Sequence, residues 1–527
     1  MRRWSRPAAT VLIAVACLGA TGVIPARAAE DDTTRVRTYL DRYRDANHIP
    51  GLAVAVVRGD RVVQEHVLGL TGDGTPVTAQ TPFLLGSVSK PFTALTVLQL
   101  AEAGRINLDA PARDYLPWLR LNGAEETARV TVRQLLTHTS GLPEVATIGL
   151  TDRFDNTEGG LARSVRDLAG VPLAGPPGAG HRYSDANYMI LGALVEEVTG
   201  ETFARHLRRA VLEPLGMRRT AATAGEAEQV RLPAGHRRYL GRPQRFDPPY
   251  DTSGVPYGYL ASSLADLGHF AVAQLDGGRY GSAQVLSAGG VEQMHRGHAP
   301  ISSGGRYALG WRDTALDGGA TRLVWHAGAT PGYFTHLVLV PGSELAVIVL
   351  ANLYHPAADP ALASAGFDIV RILLGAAPAP AENDTLLLSI APVLFGFAGL
   401  LLLVLAATLV RAVRRHRTGS VRAGPGGLPQ QLRRSRPGVR ALVVAAGWAA
   451  LAGAALGVLP RFVGGLDTLL LWAPDAGHAV LAVAALAGAL ALVTVASALA
   501  GAASRTPRPA ASARPGGRTL PAPVNGP

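Results

Sequence analysis

The chain has 527 residues, with 50 Lys plus Arg against 39 Asp plus Glu, a formal net charge of +11 and one cysteine. Cys17 alone excludes a disulfide framework and a zinc-thiolate centre, and its place in an N-terminal apolar run excludes a thiol nucleophile in the mature protein. Residues 411–440 and 501–527 together hold thirteen Arg and no Asp or Glu, more than the whole excess, so the basic balance gives no argument for nucleic-acid binding.

Residues 1–28 read as a secretory signal: Arg2, Arg3 and Arg6, an apolar run over 8–24, then Ala26-Arg27-Ala28 as a small-residue cleavage site. A charged helix is expected over 33–46, followed by strands over 51–57 and 62–70 that meet at Gly59-Asp60 as a hairpin. Gly86-Ser87-Val88-Ser89-Lys90 then opens a helix that ends at Gly104. Lys90 is the only lysine, and the other 49 basic residues are Arg. Arg stays protonated, whereas a desolvated Lys can give up its proton and act as a base, so Lys90 is a chemical choice. Ser87 and Lys90, three apart, share one helix face, and the helix N-terminus favours negative charge developing there. Pro91 is tolerable only in a first turn, which fixes the helix start near Ser87.

A short helix over 130–136 leads to Ser140-Gly141, with His138 read as a structural histidine tying down that turn. A Pro/Gly loop over 171–180 leads into His181-Arg182-Tyr183-Ser184-Asp185-Ala186-Asn187-Tyr188 and a helix over 189–199 stopped by Gly200. Taken in isolation, Asp185 reads as the N-cap of that helix. Further on come a helix over 264–275, two strands enclosing His326-Ala327-Gly328, a hairpin of 335–340 and 345–351 about Pro341-Gly342-Ser343, and a helix over 360–374. Strands near both ends with helices between them predict one sheet assembled from distant segments, in two lobes.

Composition changes after an Ala/Pro linker. Residues 386–410, 441–459 and about 476–503 are each apolar and long enough to span a bilayer, and 466–472 between the last two reads as interfacial. The positive-inside rule puts 411–440 and the tail in the cytoplasm, and the N-terminal signal puts the preceding domain outside. The expected division is 1–28 signal, 29–376 a globular domain, 377–384 linker, 385–503 three transmembrane helices with a basic loop 411–440, and 504–527 a basic Pro-rich tail.

The motifs Ser87-x-x-Lys90, 135–143, Tyr183-Ser184-Asp185 and His326-Ala327-Gly328, in this order and spacing, resemble the class C beta-lactamase-related serine hydrolases, a group that includes penicillin-binding proteins, D-aminopeptidases and esterases. The resemblance covers about 35–375 and implies an α/β (α+β) two-lobed fold, an antiparallel sheet flanked by helices plus a helical lobe, with the site between the lobes. It implies Ser87 as nucleophile, Lys90 as its proton acceptor, Tyr183 as the proton shuttle to the leaving group, and the N–H groups of Ser87 and Ala329 as the oxyanion hole. Asp185, His326 and Gly328 would contact substrate. Two departures stand out. Asp185 replaces the family's Asn and can only accept hydrogen bonds when ionised, so it would pair with Lys90 or receive a substrate ammonium. His326 replaces a Lys that holds a substrate carboxylate, which argues against true beta-lactamase activity. The domain followed by three spans also resembles membrane-bound peptidases that remove acyl-D-amino-acid caps from prodrugs; those carry an acidic residue where this chain has Leu84, so cap specificity does not transfer. The resulting expectation is a multi-pass membrane protein with an extracytoplasmic serine hydrolase domain, no cofactor or metal, no nucleic-acid partner, and a small-molecule or peptide substrate such as one derived from the cell envelope. A non-turning-over sensor signalling through its spans is the alternative.

Overall fold

The computed structural model describes residues 31–379, 383–419 and 437–503. The expected signal at 1–28, much of the basic loop and the tail lie outside the described residues. Eight strands form one sheet: β1 (Gly51–Arg58), β2 (Arg61–Gly69), β3 (Ala299–Pro300), β4 (Arg306–Tyr307), β5 (Arg312–Ala315), β6 (Arg322–Thr330), β7 (Tyr333–Val340) and β8 (Leu345–Ala351). Their order is β2-β1-β8-β7-β6-β5-β4-β3, antiparallel throughout, so the N-terminal hairpin pairs with the last strand of the domain. This is the sheet of distant segments that the sequence predicts.

β1 explains how the sheet is covered on both faces. Successive side chains of a strand point to opposite sides. Ala53, Ala55 and Val57 therefore enter a large core shared with the helical lobe, while Leu52, Val54 and Val56 enter a second core beneath two terminal helices. Those are α1 (Asp32–Ala46), which brings Val36 and Leu40, and a helix over Asp359–Leu373, which brings Leu362, Ala365 and Ile369.

In the helical lobe, α2 (Ser89–Glu102) follows a 3-10 turn at Gly86–Val88, so Pro91 does fall in the first turn. Helix α3 spans Asp185–Thr199 and begins four residues before the expected start. Ser184, in extended conformation, occupies the cap position without a side-chain capping bond, so the N-cap assignment for Asp185 is corrected: its carboxylate sits in the first turn, where the helix dipole favours negative charge. Helix α4 (Leu264–Leu275) lies where expected, and the helix closing the domain becomes α5 (Asp359–Leu373). His326-Ala327-Gly328 lies inside β6 and is not flanked by two strands as the sequence suggests. A hairpin of Gly235–Tyr239 and Arg242–Phe246 was not expected, because the Arg-rich second strand shows no apolar alternation.

Among the described residues, three helices are long and apolar enough to cross a membrane: α6 (Thr385–Gly419), α7 (Pro437–Gly457) and, after the short α8 (Leu466–Trp472), α9 (Pro474–Ala503). Asp384 N–H donates to Ala357 O at 2.9 Å, so α6 starts directly against the domain that holds the eight-stranded sheet.

Candidate active site

The site forms where the Ser87 turn, β6, the start of α3 and a single π-helical turn at Val255–Tyr259 converge. The Ser87 turn can press onto β6 because both contact points are glycine. A Cβ on Gly86, whose φ is +54°, would lie 2.2 Å from Ala329 N, and one on Gly328 would lie 2.1 Å from Leu85 O. Gly328 is thus required for backbone approach, and it does not line the cavity beside Ser87. Ala329 and Ser87 both do line that cavity, side by side as an oxyanion pair needs.

The turn at Val255–Tyr259 is stitched to α2. Thr93 Oγ1 donates to Pro256 O at 2.7 Å, and Leu260 N–H donates to Ser89 Oγ at 3.2 Å. Such turns recur at functional sites because they redirect backbone groups. Here the freed carbonyl of Tyr257 accepts from Lys90 Nζ at 2.8 Å. Lys90 is fully buried and its amine also lies 2.9 Å from Ser87 Oγ and 2.6 Å from Asp185 Oδ1. Two of the ammonium's donors are used in hydrogen bonds, to Ser87 Oγ and the Tyr257 carbonyl, and the Asp185 carboxylate adds an ion pair. The pairing of Asp185 with Lys90, one of the two outcomes open from sequence, is the one found.

Tyr183 packs its ring 4.8 Å from Lys90 Nζ. Burial and the nearby Asp185 carboxylate push its phenol well above the ordinary range, while its hydrogen bond to Ser87 pulls the other way. Tyr183 therefore keeps its proton and can serve as a donor or relay near Ser87.

His326 corrects an expectation. It is buried, lines no part of the cavity beside Ser87, and uses both ring nitrogens within the protein. Ser184 N–H and Asn187 Nδ2 both donate to His138 Nδ1, at 3.2 and 2.9 Å, which leaves His138 Nε2–H to donate to Tyr307 Oη at 3.2 Å. The Tyr307 hydroxyl then donates to His326 Nε2 at 3.0 Å, and His326 Nδ1–H donates to Ala327 O at 2.6 Å. Burial, with the positive charges of Lys90 and Arg312, holds both imidazoles well below their ordinary range and neutral. This chain ties the Tyr183–Asp185 loop to β6. His138 is structural, as expected, and His326 is its far anchor.

Sequence reasoning missed Tyr307, Tyr257, Arg312 and Asp152. Arg312 stacks 5.2 Å from the Trp325 ring and 5.9 Å from the Tyr183 ring. Asp152 is half-buried at the cavity wall and accepts from Tyr259 Oη at 2.7 Å and Trp472 Nε1 at 2.8 Å; desolvation pushes its carboxyl up to about 6. Its signal in the sequence was absent, since an Asp in a polar loop is ordinary.

Comparison with known proteins gives the family of the chain. The chain is 34% identical over 323 residues, 59% of its own length and 83% of the relative's, to Penicillin-binding protein 4 of Amycolatopsis lactamdurans. It is 26% identical over 333 residues to Protein flp of Staphylococcus aureus, covering 62% of this chain and 64% of that one. The octameric penicillin-binding protein homologue from Pyrococcus abyssi superposes with a TM-score of 0.56 at 24% identity, over 65% of this chain and 78% of that one, a likeness of fold. A family model described as Beta-lactamase matches residues 36–370, and the chain belongs to that family.

Proposed function

We propose that the protein is a membrane-anchored serine hydrolase, its catalytic domain on the outer side, that cleaves an amide or ester through an acyl-enzyme on Ser87. The observation carrying this reading is the 2.9 Å contact between the fully buried Lys90 amine and Ser87 Oγ at the floor of an open cavity. Similarity to a relative named for penicillin binding supports acyl transfer to a serine.

In the first step Asp185, 2.6 Å away, takes one proton from the Lys90 ammonium and leaves an amine facing Oγ. Lys90 then accepts the Ser87 proton as Oγ bonds to the substrate carbonyl carbon. The oxyanion meets the N–H groups of Ser87 and Ala329, each typically contributing about 3 kcal/mol to the transition state. The proton passes through Tyr183 to the leaving nitrogen or oxygen as its bond to carbon breaks. Water then attacks the acyl carbonyl, gives its proton to the same relay, and Ser87 is released. Asp185 in place of an amide is the feature that separates this site from an antibiotic hydrolase.

The Lys90–Asp185 pair also favours the second reading, a domain that is acylated once and signals, because an ammonium held in an ion pair cannot accept the Ser87 proton. Release of nitrophenol from 4-nitrophenyl butyrate by the full chain separates the two. Steady release over many equivalents supports the hydrolase, and a burst of one equivalent followed by silence supports the sensor.

A further inference from the structure

The cavity at Ser87, about 480 Å³, extends away from the catalytic domain. Its floor is polar and belongs to the hydrolase: Ser87, Asp185, Tyr257 and Ala329. Its far walls are mostly apolar and come from the membrane module: Leu387 and Ile390 from the first turns of α6, Phe462 from the end of the second span, and Leu469 and Trp472 from α8, with Thr468 and Asp475 as polar members.

This roof is fastened to the domain by bonds that span several elements. Trp472 Nε1 donates to half-buried Asp152, and its ring meets Tyr354 edge-on at 5.7 Å. Arg237 Nη1 donates to the carbonyls of Leu470 and Leu471 at 3.0 and 2.9 Å, and Asp475 Oδ2 accepts from Leu240 N–H at 3.3 Å. Leu387, Ile390 and Phe462 are 38%, 40% and 72% exposed, so the apolar wall runs outward onto the helices that would enter the bilayer.

Resting on the hydrolase reading, we infer that the substrate carries a hydrocarbon chain on the acyl side of the scissile bond, and that this chain lies in the cavity between Ser87 and the membrane module. The cavity takes in Ala329, Thr330 and Asp185 but not Tyr183, so the acyl group is assigned to it and the leaving group, which Tyr183 would protonate, to the other side of Ser87. A chain between Leu387, Ile390 and Leu469 leaves water on the same apolar grounds that hold it in a bilayer, so an amphiphile can pass from the membrane to the nucleophile. On this reading the spans complete the site as well as anchor it.

The test uses the full chain in lipid nanodiscs with 4-nitrophenyl acetate, butyrate, hexanoate and octanoate, alongside Leu469→Ser and Ile390→Ser. Expected is a kcat/KM that rises roughly fourfold per added methylene until the cavity fills. In both variants the octanoate-to-butyrate ratio should fall at least tenfold; because it is read within each protein, a general loss of active enzyme cancels. A flat or declining series, with Ser87 still labelled by a fluorophosphonate, overturns this inference and leaves the hydrolase reading standing, as does an unchanged ratio in both variants. No labelling of Ser87 overturns the hydrolase reading and this inference with it.

Discussion

At the scale of single residues, one lysine made the site legible. A chain that writes Arg at 49 positions and Lys at one places that Lys, fully buried, against Ser87 Oγ. What lay hidden was the hydrogen-bonding of the histidines, since a motif position does not tell which way an imidazole faces. His326 occupies the expected strand, yet its nitrogens serve Tyr307 and Ala327 O. Tyr307→Phe tests that assignment. It leaves His138 Nε2–H without its acceptor and His326 Nε2 without its donor, both buried. Loss of about 2 kcal/mol is expected. Denaturant unfolding of the full chain should show a lower midpoint with unchanged slope, and an unchanged midpoint would remove Tyr307 from the network.

At the scale of elements, the β1–β2 and β7–β8 hairpins and the long helices were readable from alternation and helix stop signals, because those signals are local. The roof was not, because it is made by contacts such as Trp472 with Asp152, 320 residues apart. Nothing in 466–472 beyond its apolar, Trp-ending composition marks it as a wall of a catalytic cavity. Its fastening should be sensitive to pH. The Asp152 carboxyl titrates at about 6 when folded, above its ordinary 3.8, so folding favours its protonated form. The stability this group contributes is full below 3.8 and is lost as pH rises through about 6. Asp152→Asn should flatten the decline of thermal stability between pH 4 and 6.5, measured by intrinsic fluorescence; an identical slope in wild type and variant contradicts the assignment. Trp472→Phe keeps the ring and deletes the bond to Asp152, and hydrogen exchange across 459–476 should accelerate several-fold.

At the scale of the molecule, the beginning of α6, the end of the second span and the beginning of α9 all lie at the catalytic domain, consistent with a topology in which this end of the bundle faces the same side as Ser87. The Arg-rich 411–440 begins within the last turns of α6, at its other end, where the positive-inside rule predicts cytoplasm. In a Cys17→Ala background the chain is free of thiols, which makes reporters simple to read. Asp467→Cys, at an exposed position of α8, should react with an impermeant maleimide on intact cells, and Ser420→Cys only after permeabilisation. The reverse pattern would invert the proposed topology.

The central claim is that Ser87 is a nucleophile activated by Lys90, and intact-mass labelling of the purified full chain with a fluorophosphonate tests it most directly. The account predicts one adduct per chain, mapped to Ser87, absent in Ser87→Ala and at least a hundredfold slower in Lys90→Ala. An unlabelled wild-type protein with its fold confirmed by circular dichroism, or labelling as fast in Lys90→Ala as in wild type, would contradict it.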